Sequence, residues 1–218
     1  MSVLGKEQLK LRIKEESYAR KLLVTPLLDE NQIGPASIDI RLGSSIIVPR
    51  RTFTSKHDVT DPAAARLVEK RLYDRVRLKP HAEFILHPNQ LILAVTFEYL
   101  SLPVDLCCQV ASRSSWGRLG LIVATASMVQ PGFKGCLTLE LVNVSDSPIA
   151  LYPGLLVGQL IFFDVDRARQ GPLAEAYHGR YDCPTEAGLP QFFSKAEIDA
   201  EMKHWGPPRN ADGRPQTG

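Results

Sequence analysis

The chain has 218 residues, 44% hydrophobic and 23% charged, with a formal net charge of +2. That length fits one ordinary domain with tails, and the composition is that of a soluble globular protein. No apolar run reaches the roughly 18 residues a membrane helix needs, the charged N-terminus lacks a signal core, and so small a net charge does not make a nucleic-acid surface.

In chain order, residues 6–22 read as a helix, with Leu9, Leu11, Ile13, Leu22 and Leu23 spread among charges. Ser37–Leu42 alternates Ile38, Ile40 and Leu42 against Asp39 and Arg41, the pattern of a half-buried strand. Residues 50–80 are polar and charged, with a short helix expected at 61–73, and read as an insertion or arm. From Phe84 onward, short β-rich segments follow one another, with Pro88, Pro103, Pro131, Pro148 and Pro153 at the corners. That spacing predicts a sandwich or barrel of jelly-roll type. Past Val165 the strands stop, and a loop leads to a short helix near Ser194–Lys203. The expected organisation is one domain over 1–193, with a short helix and flexible tail over 194–218.

Four cysteines, Cys107, Cys108, Cys136 and Cys183, include no CxxC pair. They are expected to be free thiols in a cytoplasmic protein. His81-Ala82-Glu83 matches the first half of the zinc deaminase signature, but no Pro-Cys-x-x-Cys follows. His57, His87, His178 and His204 show no ligand spacing, so no zinc site is expected.

Three segments carry candidate chemistry. In "CLTLELVNV", Cys136, Thr138, Glu140 and Val142 share one strand face, opposite Leu137, Leu139 and Leu141. A carboxylate there is either a strand acid in a salt bridge or a general acid/base. In "SRSSWGRLG", hydroxyls, backbone amides, Arg113 and Arg118 suit a phosphate cradle or a plain polar turn. In "AYHGRYDCP", tyrosines flank an arginine, which fits a flap over a nucleotide or an ordinary loop.

Taken in order, these pieces resemble the dCTP deaminase family of the trimeric dUTPase-like superfamily. The similarity runs from about Ser17 to Gly188. It is carried by Gly34–Gly43, His87–Leu106, Arg113–Leu121, Gln130–Asn143 and Leu151–Phe163, five motifs whose joint order is highly specific. The resemblance implies a mainly β fold, a distorted jelly roll or β-clip, with a short N-terminal helix and a C-terminal lid. It implies a homotrimer with sites between subunits, and hydrolytic deamination of dCTP to dUTP and ammonia without zinc. It also implies Mg²⁺ carried by the triphosphate and dTTP as a possible inhibitor, with no nucleic acid or membrane as partner.

By the same resemblance, Glu140 is the catalytic acid/base, Ser114 orients the attacking water, and Arg118 completes the catalytic set. Arg113, Ser115, Trp116 and Gly117 join Ser114 and Arg118 around phosphates and water. Thr125, Ala126, Gln130, Thr138, Leu139 and Gln159 contact the nucleotide, with backbone groups near Thr125 and Ala126 holding the pyrimidine. Tyr177, Arg180 and Tyr181 match the lid. Three departures stand out. Gln130 replaces the family's usual Asp, the "GLIVATASMVQPG" loop is one residue short and lacks a His, and Cys183-Pro184 replaces a lid glutamine. Gln130 argues against a dUTP diphosphatase and against a bifunctional, dUMP-forming deaminase. Retention of Glu140 argues against a non-catalytic regulatory homologue.

Overall fold

The computed structural model describes residues 2–50, 72–125, 128–165 and 184–189. The expected helix at 61–73 lies outside them except at its end, where Tyr73 is in a strand and not a helix, and the expected helix at Ser194–Lys203 lies outside them, as do Ala126 and the lid residues Tyr177, Arg180 and Tyr181. Met1–Pro49 and Asp74–Leu189 form one compact unit, Arg50–Tyr73 and Pro190–Gly218 a second. All elements below, apart from Tyr73, belong to the first.

Helix α1 covers Lys6–Lys14 and is shorter than the expected 6–22. Only Leu9 is fully buried on it, and Leu11 is exposed. One buried residue cannot hold a long helix down, because packing rather than propensity supplies most helical stability. Glu15 turns extended, and the chain doubles back so that the Leu22 N–H donates to the Arg12 carbonyl at 2.9 Å. Leu22 therefore belongs with β1 (Leu23–Thr25) in the core, not with α1. The charges that spoil the helical pattern have their own role. Arg12 donates to both Asp105 oxygens, at 3.0 and 2.5 Å, and clamps α1 beside the sheet.

A single 3-10 turn (Glu30–Gln32) precedes β2 (Ile38–Pro49). Then follow β3 (Tyr73–Arg77), β4 (Phe84–Leu86), β5 (Leu91–Ser101) and β6 (Leu106–Ser112). A second helix, α2 (Ser114–Leu119), leads into β7 (Leu121–Val123). The last strands are β8 (Met128–Val129), β9 (Lys134–Asn143), β10 (Ile149–Leu151) and β11 (Leu156–Asp164). The main sheet runs β7-β9-β5-β2-β11-β6-β8, and β4 pairs with β10 separately. The mainly β expectation holds.

Alternation builds the core. Ile38, Ile40 and Leu42 on β2, Ile92 and Ala94 on β5, Leu139 and Leu141 on β9, and Leu160 and Phe162 on β11 are all fully buried. Each large side chain contributes roughly 1.5–3 kcal/mol by leaving water. Three irregularities bend the sheet, between Leu42 and Ile46 on β2, between Val95 and Tyr99 on β5, and between Leu156 and Gly158 on β11. The β5 bulge is pinned by Thr96. Its Oγ1 accepts from the Leu137 N–H at 2.9 Å and donates to the Glu98 carbonyl at 2.8 Å.

Candidate active site

Glu140 stands on β9, half-buried, on the face shared with Cys136, Thr138 and Val142. Its Oε2 is buried and has no hydrogen-bond partner among the described residues. Its backbone is held on both sides. The Glu140 N–H donates to Thr125 Oγ1 at 2.9 Å, and its carbonyl accepts from the Ala124 N–H at 2.8 Å. Both bonds run to the β7 edge, since β7 pairs with β9 at Val123↔Leu141. The β-strand alternation turns the Thr138 N–H and carbonyl toward that same edge.

The other end of this edge is covered by residues 184–189. The Cys136 N–H donates to the Pro184 carbonyl at 2.6 Å, and the Gly188 N–H donates to Thr138 Oγ1 at 2.9 Å. Ala187 is buried, and Glu186 ion-pairs with Arg77 and, at 3.9 Å, with Arg75. Thr138 thus lies between a short strap and the Thr125 contact, next to the carboxylate.

The Arg-Ser-Ser cluster is helical rather than a bare turn. Arg113 is the N-cap of α2, and Gly120 ends the helix in the left-handed region at φ +93°. A Cβ on Gly120 would lie 2.6 Å from the Ser145 Cβ, so glycine is required there on two counts. Gly120 directly after Leu119 was the available sign of this helix end. Ser114, Ser115, Gly117 and Arg118 are exposed, and Trp116 Nε1 donates to the Leu156 carbonyl at 2.6 Å, fixing α2 to β11. Among the described residues Arg118 has no ion-pair partner.

Arg113 is different. Its NH1 lies 2.6 Å from Asp39 Oδ2, close enough for an ion pair although the N–H is not aligned as a hydrogen bond. Asp39 sits opposite Gln159 across β2 and β11, and Ser37 Oγ donates to Gln159 Oε1 at 3.0 Å. Arg113 and Gln159 are therefore gathered around one strand. Gln130 is exposed just past β8, and Leu139 is fully buried in the core. No hydrogen bond or ion pair joins the α2 group to Glu140 among the described residues.

Sequence reasoning passed over a buried charge. Glu98 is fully buried on β5. Its Oε2 accepts from the Arg41 N–H at 2.8 Å, and its Oε1 accepts from Arg41 NH1 at 3.2 Å and Gln32 Nε2 at 3.0 Å. Burial pushes its carboxyl above the usual range, against the pull of the Arg41 N–H. Burial and then the charge of Glu98 raise the Cys136 thiol. The signal was present, a lone acid among apolar residues in "TFEYL", the same signal that marked Glu140. Among the described residues, no group of three or more His, Cys, Asp or Glu could hold a metal ion.

An exposed guanidinium and two exposed hydroxyls suit an anion. A desolvated carboxylate oxygen lacking a donor suits proton exchange with something that enters the site. Residues 3–165 match the dCTP deaminase-like family model. The chain belongs to this family. Among its relatives is a protein of Methanobrevibacter smithii named dCTP deaminase, dUMP-forming, 37% identical over 88% of this chain and 95% of its own length. Another, from Halorubrum lacusprofundi and named dCTP deaminase, is 37% identical over 83% of this chain and 91% of its own. The 2'-deoxycytidine 5'-triphosphate deaminase of Agrobacterium tumefaciens is similar in fold, with a TM-score of 0.55 and 24% identity. That match covers 73% of this chain and 47% of that one. For a dCTP deaminase-like chain, the five motifs and the mainly β architecture are the features legible beforehand.

Proposed function

We propose that the chain deaminates dCTP by hydrolysis, yielding ammonia and dUTP. The observation that carries this reading is the buried Oε2 of Glu140, without a hydrogen-bond partner among the described residues, on a strand whose backbone is pinned at that residue. In the proposed reaction Glu140 takes a proton from water as the oxygen bonds to cytosine C4. It delivers that proton to the ring nitrogen; the proton of the new C4 hydroxyl then passes through Glu140 to the exocyclic amine, and the bond from C4 to that amine breaks, leaving the C4 carbonyl and ammonia. Each transfer needs a carboxyl that can both accept and donate.

Ser114 orients the water, and Arg113, Ser115 and Arg118 bind phosphates, aided by Trp116 and Gly117. Thr125, Ala126 and Thr138 hold the base through backbone groups, whereas the backbone of Leu139 is turned to Ala94 on β5 and its side chain lies in the core, and Gln130 and Gln159 face the sugar and phosphates. Tyr177, Arg180 and Tyr181 close over the nucleotide. Mg²⁺ would be held by the triphosphate oxygens and water. It would neutralise phosphate charge while the backbone groups above orient the base. The homotrimer has its own support. Leu91, Val142 and Ile122 are cross-strand partners on the face of Glu140, and Leu91 and Ile122 are about two-fifths exposed. An apolar row beside a site suits a subunit contact, and a second copy would bring an α2 group to Glu140. dTTP, which shares the triphosphate, is the candidate inhibitor.

A second reading is favoured by the name of the M. smithii relative. In it the chain also cuts the triphosphate and releases dUMP. The side-chain amide of Gln130 supports the first reading, because it cannot activate water as a carboxylate can. Incubation with dCTP and Mg²⁺, with assay of ammonia and chromatography of the nucleotide, tests both. Ammonia with dUTP supports the first, ammonia with dUMP and pyrophosphate supports the second, and no ammonia excludes both.

A further inference from the structure

β2 presents Asp39 and Arg41, and Ser37 just before it, opposite the buried Ile38 and Ile40. Each of the three has a defined polar partner. Ser37 bonds Gln159, Asp39 pairs with Arg113, and Arg41 pairs with Glu98. Gln32 ties the last two together. Its Nε2 donates to the Asp39 carbonyl at 2.8 Å and to Glu98 Oε1 at 3.0 Å, while its Oε1 accepts from Arg41 NH2 at 2.6 Å. Gln32 and Glu98 are both buried. The backbone of Asp39 is thus fixed from beneath by a closed ring of three side chains.

Such a ring is poorly explained as a source of stability. Desolvating a carboxylate and a guanidinium consumes most of what their attraction returns, and an apolar replacement often does as well. A satisfied buried polar network instead specifies one geometry. The geometry specified here is that of Asp39. Its carboxylate meets the buried NH1 of Arg113, whose side chain remains one-third exposed. One side of the guanidinium is taken by Asp39, and among the described residues its remaining donors have no hydrogen-bond partner, which leaves them for an anion. A flexible arginine held this way loses less freedom when it binds phosphate.

We propose that Asp39 is a positioning residue for Arg113, and that the Glu98–Arg41–Gln32 ring fixes the strand segment that presents it. The inference rests on the reading of Arg113 as a phosphate-binding residue. Asp39 touches no reacting atom, so its effect falls on capture of the phosphate chain rather than on the chemistry at C4.

The test compares wild type, Asp39→Asn, Arg113→Lys and the double variant as full chains. Binding of inorganic tripolyphosphate is measured by calorimetry, and KM and kcat are measured with dCTP. Asp39→Asn is expected to weaken tripolyphosphate about tenfold and raise KM by a similar factor, with kcat within about threefold. The same substitution on Arg113→Lys should add little, giving a non-additive cycle. Gln32→Met, which removes the link beneath Asp39, should weaken tripolyphosphate in the same direction. Unchanged or tighter tripolyphosphate binding by Asp39→Asn overturns the proposal, as does full additivity with Arg113→Lys. Failure of the wild type to bind tripolyphosphate also overturns it. A wild type that binds tripolyphosphate but releases no ammonia from dCTP overturns the deaminase reading alone.

Discussion

Gly135 and Pro184 approach so closely that no side chain fits between them. A Cβ on Gly135 would lie 2.4 Å from the Pro184 Cδ, and the φ of +138° already disfavours any other residue. This contact seats the 184–189 strap on β9, one hydrogen bond away from Thr138. Gly135→Ala must strain the backbone or lift the strap. It should cost about 1–3 kcal/mol and lower the thermal midpoint. An unchanged midpoint, with unchanged protease sensitivity at 184–189, would remove the strap from the account.

The Arg12–Asp105 clamp makes a second prediction. Both side chains are about one-eighth exposed, and Arg12 Nε is already buried without a partner among the described residues. Asp105→Ala leaves a mostly buried guanidinium uncompensated, at a cost of about 3 kcal/mol by chemical denaturation. A loss near zero would mean that α1 is held by Leu9, Ile13 and its backbone hydrogen bonds without the clamp.

Glu98 sets a pH dependence with a definite sign. Burial raises its carboxyl above the unfolded value of 4.5, so the native state holds this proton more tightly than the unfolded state does. Its contribution to stability is full below that value and is lost as pH rises through the higher folded value. Thermal midpoints across pH 4 to 8 should therefore decline more in wild type than in Glu98→Gln over that interval. Parallel curves would show that Arg41 and Gln32 fully offset the desolvation.

What could be read beforehand followed how local each feature is. Glu140 declared itself through strand alternation, because its apolar neighbours are adjacent in sequence. Arg113 and Gln159 were legible as motif residues, but their shared partner Asp39 was not, since β2 meets α2 only in the folded sheet. Glu98 had the same alternation signal as Glu140. Its partners come from a 3-10 turn and from β2, brought together beside a bulge that no local pattern announces. The N-terminal helix was overextended because Leu22 and Leu23 continue an apolar spacing that tertiary packing assigns to β1.

Gln130 makes the product itself a prediction. Wild type should release dUTP with its phosphates intact. Gln130→Asp, which restores a carboxylate at that exposed position, should raise pyrophosphate release by about 100-fold, the scale of a positioned general base. Formation of dUMP by wild type would show that the side chain at 130 does not decide the product.

The most direct test of the central claim is ammonia release from dCTP by wild type and Glu140→Gln, with thermal midpoints measured alongside. Wild type should release ammonia steadily, the variant should fall by at least about 100-fold, and the midpoints should nearly coincide. Equal rates from the two proteins, or no ammonia from a folded wild type, would contradict that claim.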